Sequence, residues 1–482
     1  MTRTGKKQIL LIPAAAAIVA AAFLLFLWKG AFLPSDIGWE EQTLSWCGKE
    51  AVLKDRSLSV YSDGRKTWTT DWDWNVQSCC QADLDRDGSE ELLLLVWKRG
   101  SYGDHMPFWV EKNDHDMSQH IFIYRCANER TTGLRAAWMS SAIPVRIREM
   151  QTDGQRVVIR DENGVISIWE WEDFGLKMLA EGAESLSFMA CGDQLLHKAV
   201  LRRGLPDDDY SYMYAGIRDR IREADLASLN QETPLVADKS LLSDYPRFGS
   251  PAETAQSVED LGIDIVSTAN NHALDQGMYG VDVTLSVYEG LGIIPVGTHG
   301  SEEEAVRPES AVRIVTRNGI KVALLGFTYG TNGRSEADHP HAVELFAAEE
   351  RLTEALSYAR ENADAVIVFA HWGTEYDEEP DEEQKRITNL LLEHQADVVI
   401  GTHPHVVQPY ELLTGKNGHR MLVYYSLGNL ISAQKQENCR RGGIASFELV
   451  RTGQNRVCIL APELSDIYTE QDMVVWGRPG NL

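Results

Sequence analysis

The strongest constraint on the fold is the alternation of short apolar segments with helix-like segments between residues 184 and 465. The strand candidates are 186–190, 227–229, 263–268, 293–296, 322–327, 365–370 and 398–400, and the helix candidates are 214–224, 252–261, 279–290, 347–360 and 381–395. Strands that alternate with helices favour an α/β fold with a mostly parallel sheet. Residues 423–425 and a hairpin over 445–460 predict that the sheet finishes with antiparallel strands.

Polar side chains follow five of these strand candidates directly. The clusters are Cys191-Gly192-Asp193, Asn230-Gln231-Glu232, Asn270-Asn271-His272, His371-Trp372-Gly373 and Gly401-Thr402-His403-Pro404-His405. Parallel strands end at one edge of a sheet, so these loops are expected to converge in one crevice. A single cluster of this kind is better explained as a polar turn or helix cap. Five together predict a ligand site.

Imidazole and carboxylate side chains in these loops suit a divalent-metal centre. His403 and His405 are two residues apart on a turn that contains Pro404, so they can face neighbouring ions. With two ions, one carboxylate must bridge them, and Glu232 or Asp193 can do so.

A proton donor is also predicted in the third cluster. His272 is expected to act as the general acid for a leaving oxygen, oriented by Asp275 three residues later.

Seven motifs then point to a family. GD, NQE, NNHALDQG, FTYGTNG, HWGTEY, GTHPHVVQPYE and YSLGN occur in this order over roughly residues 185–462. Together they resemble the CapA-type capsule synthesis proteins, which are associated with poly-γ-glutamate production and belong to the calcineurin-like metallophosphoesterase superfamily. The resemblance implies a four-layer αββα sandwich with a two-metal site at its edge.

The resemblance also implies a set of ligands. One ion would take Asp193, Glu232 and His405, and the other would take Glu232, Asn271, His371 and His403. The ions would be manganese, zinc or iron, one or two in number. The chain departs from the superfamily at position 195, where Leu195 replaces the histidine of the usual DxH motif.

The amino-terminal residues 1–34 predict a membrane anchor. Residues 9–28 are apolar and free of charge, which is long enough to cross a bilayer as a helix. Arg3, Lys6 and Lys7 precede this run and predict a cytoplasmic amino terminus with the bulk of the chain extracellular. A cleaved signal peptide is the alternative interpretation.

Residues 35–180 predict a small β-rich extracellular domain, because short β-branched and aromatic segments alternate with Gly, Asp and Asn. Within it, the sequence from Asp83 to Glu91 resembles the calcium loop of FG-GAP/VCBS-type propeller repeats. Asp83, Asp85, Asp87 and Glu91 would then be the calcium ligands, and the alternative is an acidic hairpin turn.

The composition of the chain limits the classes of molecule that it is expected to bind. A net charge of −26 over 482 residues argues against a nucleic-acid partner. The seven cysteines have no CxxC pair, which indicates a protein without a disulfide framework, although one bridge in the amino-terminal region stays open.

The whole sequence predicts a CapA-like metallophosphoesterase domain at residues 181–465, with 466–482 as a tail. Its expected role is synthesis, release or anchoring of an anionic surface polymer, together with other subunits of a polymer synthesis complex in the membrane. Two alternatives stay open: a general phosphoesterase at the cell surface that acts on a phosphate-containing substrate, and a subunit of such a complex without catalytic activity.

Overall fold

The computed structural model describes residues 33–103, 106, 108–112, 114–126, 134–301, 305–335, 337–453 and 455–477. The chain divides into two compact units, Met1–Ala183 and Glu184–Leu482. The predicted membrane span at residues 9–28 lies outside the described residues. Among the described residues, no helix combines the length and the apolar character that are needed to cross a bilayer.

The described part of the first unit consists of three four-stranded antiparallel sheets, each formed by consecutive strands. The strands are β1 (Gln42–Trp46), β2 (Lys49–Lys54), β3 (Ser57–Ser62), β4 (Arg65–Thr69), β5 (Asn75–Ala82), β6 (Glu91–Arg99), β7 (Met117–Cys126), β8 (Leu134–Met139), β9 (Ile147–Asp153), β10 (Arg156–Asp161), β11 (Ile166–Glu172) and β12 (Gly175–Glu181).

The middle sheet, β5–β8, is covered on both faces. Leu92 and Leu94 of β6 pack with Trp46 and Leu58 of the first sheet. Leu93 and Leu95, which point the other way, form a second cluster that includes β9 and β10. A strand buried on both faces needs apolar residues at every position, which explains the continuous apolar run in β6.

The second unit contains two larger sheets and six α-helices among its described residues. The helices are α1 (Lys198–Leu201), α2 (Arg218–Ile221), α3 (Thr254–Leu261), α4 (Gly277–Gly290), α5 (Glu349–Asn362) and α6 (Glu382–Glu393), and short 3₁₀ helices cover Lys239–Leu241, Pro308–Ala311 and Asn438–Arg440. The strands are β13 (Ser185–Gln194), β14 (Leu226–Gln231), β15 (Leu235–Val236), β16 (Ser250–Pro251), β17 (Ile265–Ser267), β18 (Ile294–Val296), β19 (Arg313–Arg317), β20 (Ile320–Thr328), β21 (Ala365–His371), β22 (Val398–Thr402), β23 (Tyr410–Thr414), β24 (Arg420–Tyr424), β25 (Asn429–Ile431), β26 (Arg441–Gly453), β27 (Arg456–Glu470) and β28 (Met473–Trp476).

The two large sheets pack face to face. One has the order β18-β17-β14-β13-β26-β27-β28, with β25 paired to β13, and the other has the order β19-β20-β21-β22-β24-β23. Phe188 and Phe447 of the first sheet share a buried cluster with Leu324 and Ile367 of the second. The outer face of the first sheet packs against α3 and α4, and that of the second packs against α5 and α6. The unit therefore has four layers, in the order αββα, and the predicted α/β class is confirmed.

Two sequence predictions for this unit are wrong. The helix predicted at 214–224 is reduced to α2, because Gly216 forms a β-bridge with Val475 that needs extended backbone. The tail predicted from residue 466 is instead part of the sheet up to Trp476, since Ile467 and Val474 are fully buried in the core between sheet and helices.

Candidate metal centre

The five predicted polar clusters meet at one edge of the two sheets. Asp193 lies near the end of β13, and Glu232 and Asn271 follow β14 and β17 of the same sheet. His371 is the last residue of β21, and His403 comes directly after β22 in the second sheet. The parallel pairing within each sheet brings these strand ends together, as the alternation of strands and helices predicts.

Six predicted ligands are buried at this edge, and five of them form two overlapping groups. One group is Glu232, His403 and His405, and the other is Asp193, Glu232 and His371, with one ligand atom from each member within 4.8 Å of the others. Glu232 belongs to both groups. This is the position that a carboxylate bridging two ions would occupy.

The spacing of these side chains suits binding of a cation better than hydrogen bonding among themselves. Oε1 of Glu232 lies 3.8 Å from Nε2 of both His371 and His405, and it has no hydrogen-bond partner among the described residues. Nδ1 of His403 is likewise buried without such a partner. Buried polar atoms are normally satisfied, and ligand atoms about 2 Å from an ion are spaced in this way.

Asp193 is held in place from three sides. Its Oδ2 lies 3.0 Å from Nδ1 of His405 and accepts the backbone N–H of His403 at 3.2 Å. Its Oδ1 accepts from Nδ2 of Asn230 at 2.8 Å. Such partners fix a ligand's orientation. Because Asp193 contacts Nδ1 of His405, Nε2 of that ring is left facing Glu232.

Asn271, the sixth predicted ligand, reaches the cluster through His371. Nε2 of His371 lies 3.0 Å from Oδ1 of Asn271, and Nδ1 lies 3.0 Å from the hydroxyl of Thr402. The same imidazole nitrogen therefore faces both Asn271 and Glu232, which are two of the three ligands predicted to share an ion with it.

Burial controls the charge of the cluster. Burial and the neighbouring Asp193 carboxylate raise the pKa of Glu232 well above its ordinary value. Burial, together with the neighbouring imidazoles, lowers the pKa of His371 well below its ordinary value and that of His403 to about 3. Neutral imidazoles are the form that binds metal.

The loop that carries two of the histidines has unusual backbone geometry. His403 and His405 have φ angles of 101° and 59°, in a region that side chains other than Gly rarely adopt. Such strain is concentrated at functional sites. On the facing strand, a Cβ at position 192 would lie 1.9 Å from the carbonyl oxygen of Gly428, so the residue before Asp193 must be Gly.

The predicted acid, His272, is next to this cluster in sequence and is held by Asp275. Nδ1 of His272 lies 2.7 Å from Oδ2 of Asp275, which leaves Nε2 for proton transfer. Asp275 also accepts the N–H of Phe248 at 2.8 Å, and the Phe248 ring packs edge-on against His272 at 4.8 Å. The pair is thus fixed in place as predicted.

Sequence reasoning missed two residues in the loop after β20. Nε of Arg334 lies 3.3 Å from Oδ1 of Asp275, an atom without a hydrogen bond among the described residues. Tyr329 places its ring 4.6 Å from that of His403 and is 45% exposed. Both residues belong to or directly follow the FTYGTNG motif, so the motif itself is the sequence signal that locates them.

Leu195 and His197 do not add a ligand. Leu195 is buried as an apolar side chain. Nδ1 of His197 accepts the backbone N–H of Ala433 at 3.3 Å, and His197 belongs to neither group of candidate ligands. The position of the usual DxH histidine is therefore apolar in this chain.

The calcium loop is a separate cluster in the first unit. Asp83, Asp85 and Glu91 lie together, whereas Asp87 accepts the N–H of Ser89. Arg125 forms ion pairs with Asp85 and, at 2.9 Å, with Glu91. A calcium ion at this position would have to displace that guanidinium.

Comparison with known proteins identifies the family. Residues 187–434, more than half of the chain, match the family described as "Bacterial capsule synthesis protein PGA_cap". The chain belongs to this family. The matched residues contain all six predicted metal ligands and the His272–Asp275 pair.

Two curated relatives carry the CapA name. The chain is 29% identical over 243 residues to the PGA biosynthesis protein CapA of Bacillus subtilis (strain 168), an alignment that covers 49% of this chain and 60% of the relative. It is 27% identical over 286 residues to the capsule biosynthesis protein CapA of Bacillus anthracis, covering 56% and 65%. The PGA_cap chain thus spans less than two thirds of the length of these two relatives.

Among solved structures, a 5'-nucleotidase precursor from Thermus thermophilus is similar over 60% of this chain and 56% of its own, with 14% identity and a TM-score of 0.35. A score this low supports no inference about this chain, whose fold follows from the layers and the strand order of its own two sheets.

Proposed function

We propose that this PGA_cap protein acts in the synthesis, release or anchoring of an anionic surface polymer, poly-γ-glutamate, through a divalent-metal, phosphoesterase-like site. The observation that supports the proposal most strongly is the shared carboxylate of Glu232, which lies in both groups of candidate ligands and lacks a hydrogen bond at Oε1 among the described residues. Family membership supports the capsule context.

The ligands of this site would be Asp193, Glu232, Asn271, His371, His403 and His405. Divalent ions bound there would polarise a phosphoryl or acyl oxygen and lower the pKa of a bound water. Zinc, manganese and iron all accept such a mixture of imidazole, amide and carboxylate donors.

Side chains of the protein itself would transfer the proton to the leaving group. Nε2 of His272 would protonate the leaving oxygen, because Nδ1 is occupied by Asp275. Asp275 would keep the ring oriented and stabilise its charged form, as a buried carboxylate does for a catalytic histidine. Arg334 would hold the second oxygen of Asp275 and add positive charge beside the leaving group.

The test is a comparison of the full chain with His403→Ala, purified in detergent. We expect the wild type to bind divalent metal and to hydrolyse phosphoesters, and the variant to lose both. His394→Ala, at the end of α6 and outside the candidate ligands, is the matched control. Equal metal content and equal turnover in the wild type and in His403→Ala would show that the site is not catalytic.

Two other functions are separated by further experiments. Turnover of many unrelated phosphomonoesters and phosphodiesters, without an effect on polymer, would favour a general phosphoesterase. The apolar Leu195 favours a subunit of a polymer synthesis complex without catalytic activity. Full rescue of capsule in a deletion strain by a chain altered at Asp193, His371 and His403 would establish that second alternative.

We also propose that residues 9–28 anchor the protein in the cell membrane with the PGA_cap domain outside. The apolar run and the preceding Arg3, Lys6 and Lys7 support this orientation. Extraction of membranes with alkaline carbonate should leave the full chain in the pellet and release a chain that lacks residues 1–34. Release of both would contradict the anchor.

A further inference from the structure

The turn between β1 and β2 lies against the residue that precedes β6. The indole Nε1 of Trp46 donates to the carbonyl oxygen of Glu90 at 2.7 Å. The next residue, Cys47, places its Sγ 3.9 Å from the same oxygen. Cys47 is exposed and has a φ angle of 50°, which turns the chain sharply at this point.

Cys126, at the end of β7, lies at the same end of the middle sheet as Glu90, which Cys47 contacts. In the antiparallel pair of β6 and β7, Leu92 lies opposite Tyr124. Cys126, the last residue of β7, lies two positions after Tyr124, and Glu90 lies two positions before Leu92, so both belong to the same end of this pair of strands. The Cys126 side chain also packs on the cluster that contains Trp46, so it points toward the sheet that carries Cys47.

We infer that Cys47 and Cys126 form a disulfide when the first unit is in an oxidising compartment. The bridge would join the first sheet to the middle sheet at the end of β7. This inference does not depend on the proposed activity of the second unit.

The electrostatics of the two thiols agree with their proximity. Partial burial of the thiol and, after it, the neighbouring Cys126 thiol together raise the pKa of Cys47 to about 12. A thiol neighbour can have this effect only over a short distance, because electrostatic interactions weaken with separation.

The other cysteines are poorly placed to compete. Cys79 packs in the cluster between the first two sheets and Cys80 in the cluster on the opposite face, so these adjacent residues point apart. Cys191, Cys439 and Cys458 are buried residues of the other unit.

The chemistry is a two-electron thiol–disulfide exchange with a small disulfide such as oxidised glutathione. The Cys47 thiolate attacks one sulfur of the oxidant and releases one thiol, which gives a mixed disulfide. The Cys126 thiolate then attacks the Cys47 sulfur and releases the second thiol. The two cysteines are oxidised, the oxidant is reduced to two thiols, and these take up the two protons.

The experiment is peptide mapping of the full chain in detergent after incubation with oxidised glutathione and alkylation of the remaining thiols. We expect a linked pair of peptides that contain Cys47 and Cys126, which separates on reduction, while Cys79 and Cys80 are alkylated. In Cys47→Ser, Cys126 should become alkylated or carry glutathione. Both Cys47 and Cys126 alkylated in the wild type, or either one linked to another cysteine, would overturn the inference.

A second measurement covers the case in which a variant folds poorly. A bridge between Cys47 and Cys126 closes the loop of chain between them, so it should raise the midpoint of thermal unfolding of the wild type by roughly 5–15 °C relative to the reduced protein. Addition of a reductant should remove that increase in the wild type and leave the midpoint of Cys47→Ser unchanged. An equal response of both proteins to the reductant would also overturn the inference.

Discussion

Nδ1 of His405 lies 3.0 Å from Oδ2 of Asp193, although the two residues are 212 positions apart in the chain. The contact joins the end of β13 in one sheet to the turn after β22 in the other, and it directs the remaining nitrogen of His405 toward Glu232. The orientation of the candidate metal centre therefore depends on how the two sheets pack. The same arrangement makes each ligand's contribution open to test.

Removal of the shared carboxylate should affect both ions. We expect Glu232→Gln to weaken divalent-metal binding at least about tenfold, because an amide is a poorer ligand that cannot bridge two cations as a carboxylate does. Metal content after dialysis checks this, with Glu349→Gln on the surface of α5 as the control. The metal-free variant should unfold no earlier than the wild type, since burial penalises the charge of Glu232. Unchanged metal content in Glu232→Gln would rule out the shared position.

The predicted acid can be separated from metal binding. We expect Asp275→Asn to lower phosphoester turnover by about 10²–10⁴-fold with the metal content unchanged, because His272 loses the partner that fixes its tautomer. Arg334→Gln should lower turnover by about tenfold, since its guanidinium contacts the other oxygen of Asp275. Steady-state kinetics on metal-loaded protein measures both. Full turnover of Asp275→Asn would remove His272 from the mechanism.

A buried ion pair in the second unit predicts a dependence of stability on pH. Nε of Arg351 lies 2.6 Å from Oε2 of Glu344, and Nε2 of His299 lies 2.7 Å from Oε1. Burial alone would raise the pKa of Glu344, but the hydrogen bonds from Arg351 and His299 outweigh it and lower that pKa. A carboxylate with a lowered pKa stabilises the fold above its unfolded pKa, and this contribution is lost as the pH falls through the folded value.

We therefore expect Arg351→Met to destabilise the second unit by about 3–5 kcal/mol at pH 7, because it leaves Glu344 charged and buried without its partner. The difference from the wild type should shrink toward about pH 3, as the pH falls below the ordinary glutamate pKa of about 4.3 and through the lowered pKa of Glu344 in the folded wild type. Urea unfolding at both pH values measures it. Arg386→Met, whose ion pairs are exposed, is the control and should change the free energy of unfolding by less than about 1 kcal/mol. An equal loss at both pH values would show that packing of Arg351, and not its charge, is responsible.

Calcium binding by the first unit stays a prediction. The group that would compete with the ion is the guanidinium of Arg125. We expect calorimetry to show calcium binding that is lost in Asp83→Asn, since Arg125 pairs with Asp85 and Glu91 and leaves the Asp83 carboxylate in the cluster. Arg125→Gln should bind calcium more tightly than the wild type, because the guanidinium no longer competes for Asp85 and Glu91. Asp161→Asn, at the end of β10, is the control. An absence of heat in the wild type and in Arg125→Gln would establish an acidic turn.

The local sequence pattern was sufficient to predict much of the secondary structure of the second unit. The helix predicted at 381–395 is observed as α6, which begins after Asp381 with a capping box formed with Gln384. The pattern failed at 214–224, where apolar spacing suits a helix but the bridge of Gly216 with Val475 requires extended backbone. It also failed at Ile467 and Val474, whose burial depends on a sheet that the local sequence does not define.

The sequence by itself determined the family, the α/β class and the identity of the residues at the strand ends, because these follow from short-range periodicity and from motifs in a fixed order. Only the tertiary structure decided which atoms of those residues face one another. The approach of Oε1 of Glu232 to His371 and His405 joins segments that are distant in the chain, and so does the contact of Arg334 with Asp275. Such contacts are determined by strand register and by the packing of one sheet on another, and neither is encoded in any local stretch of residues.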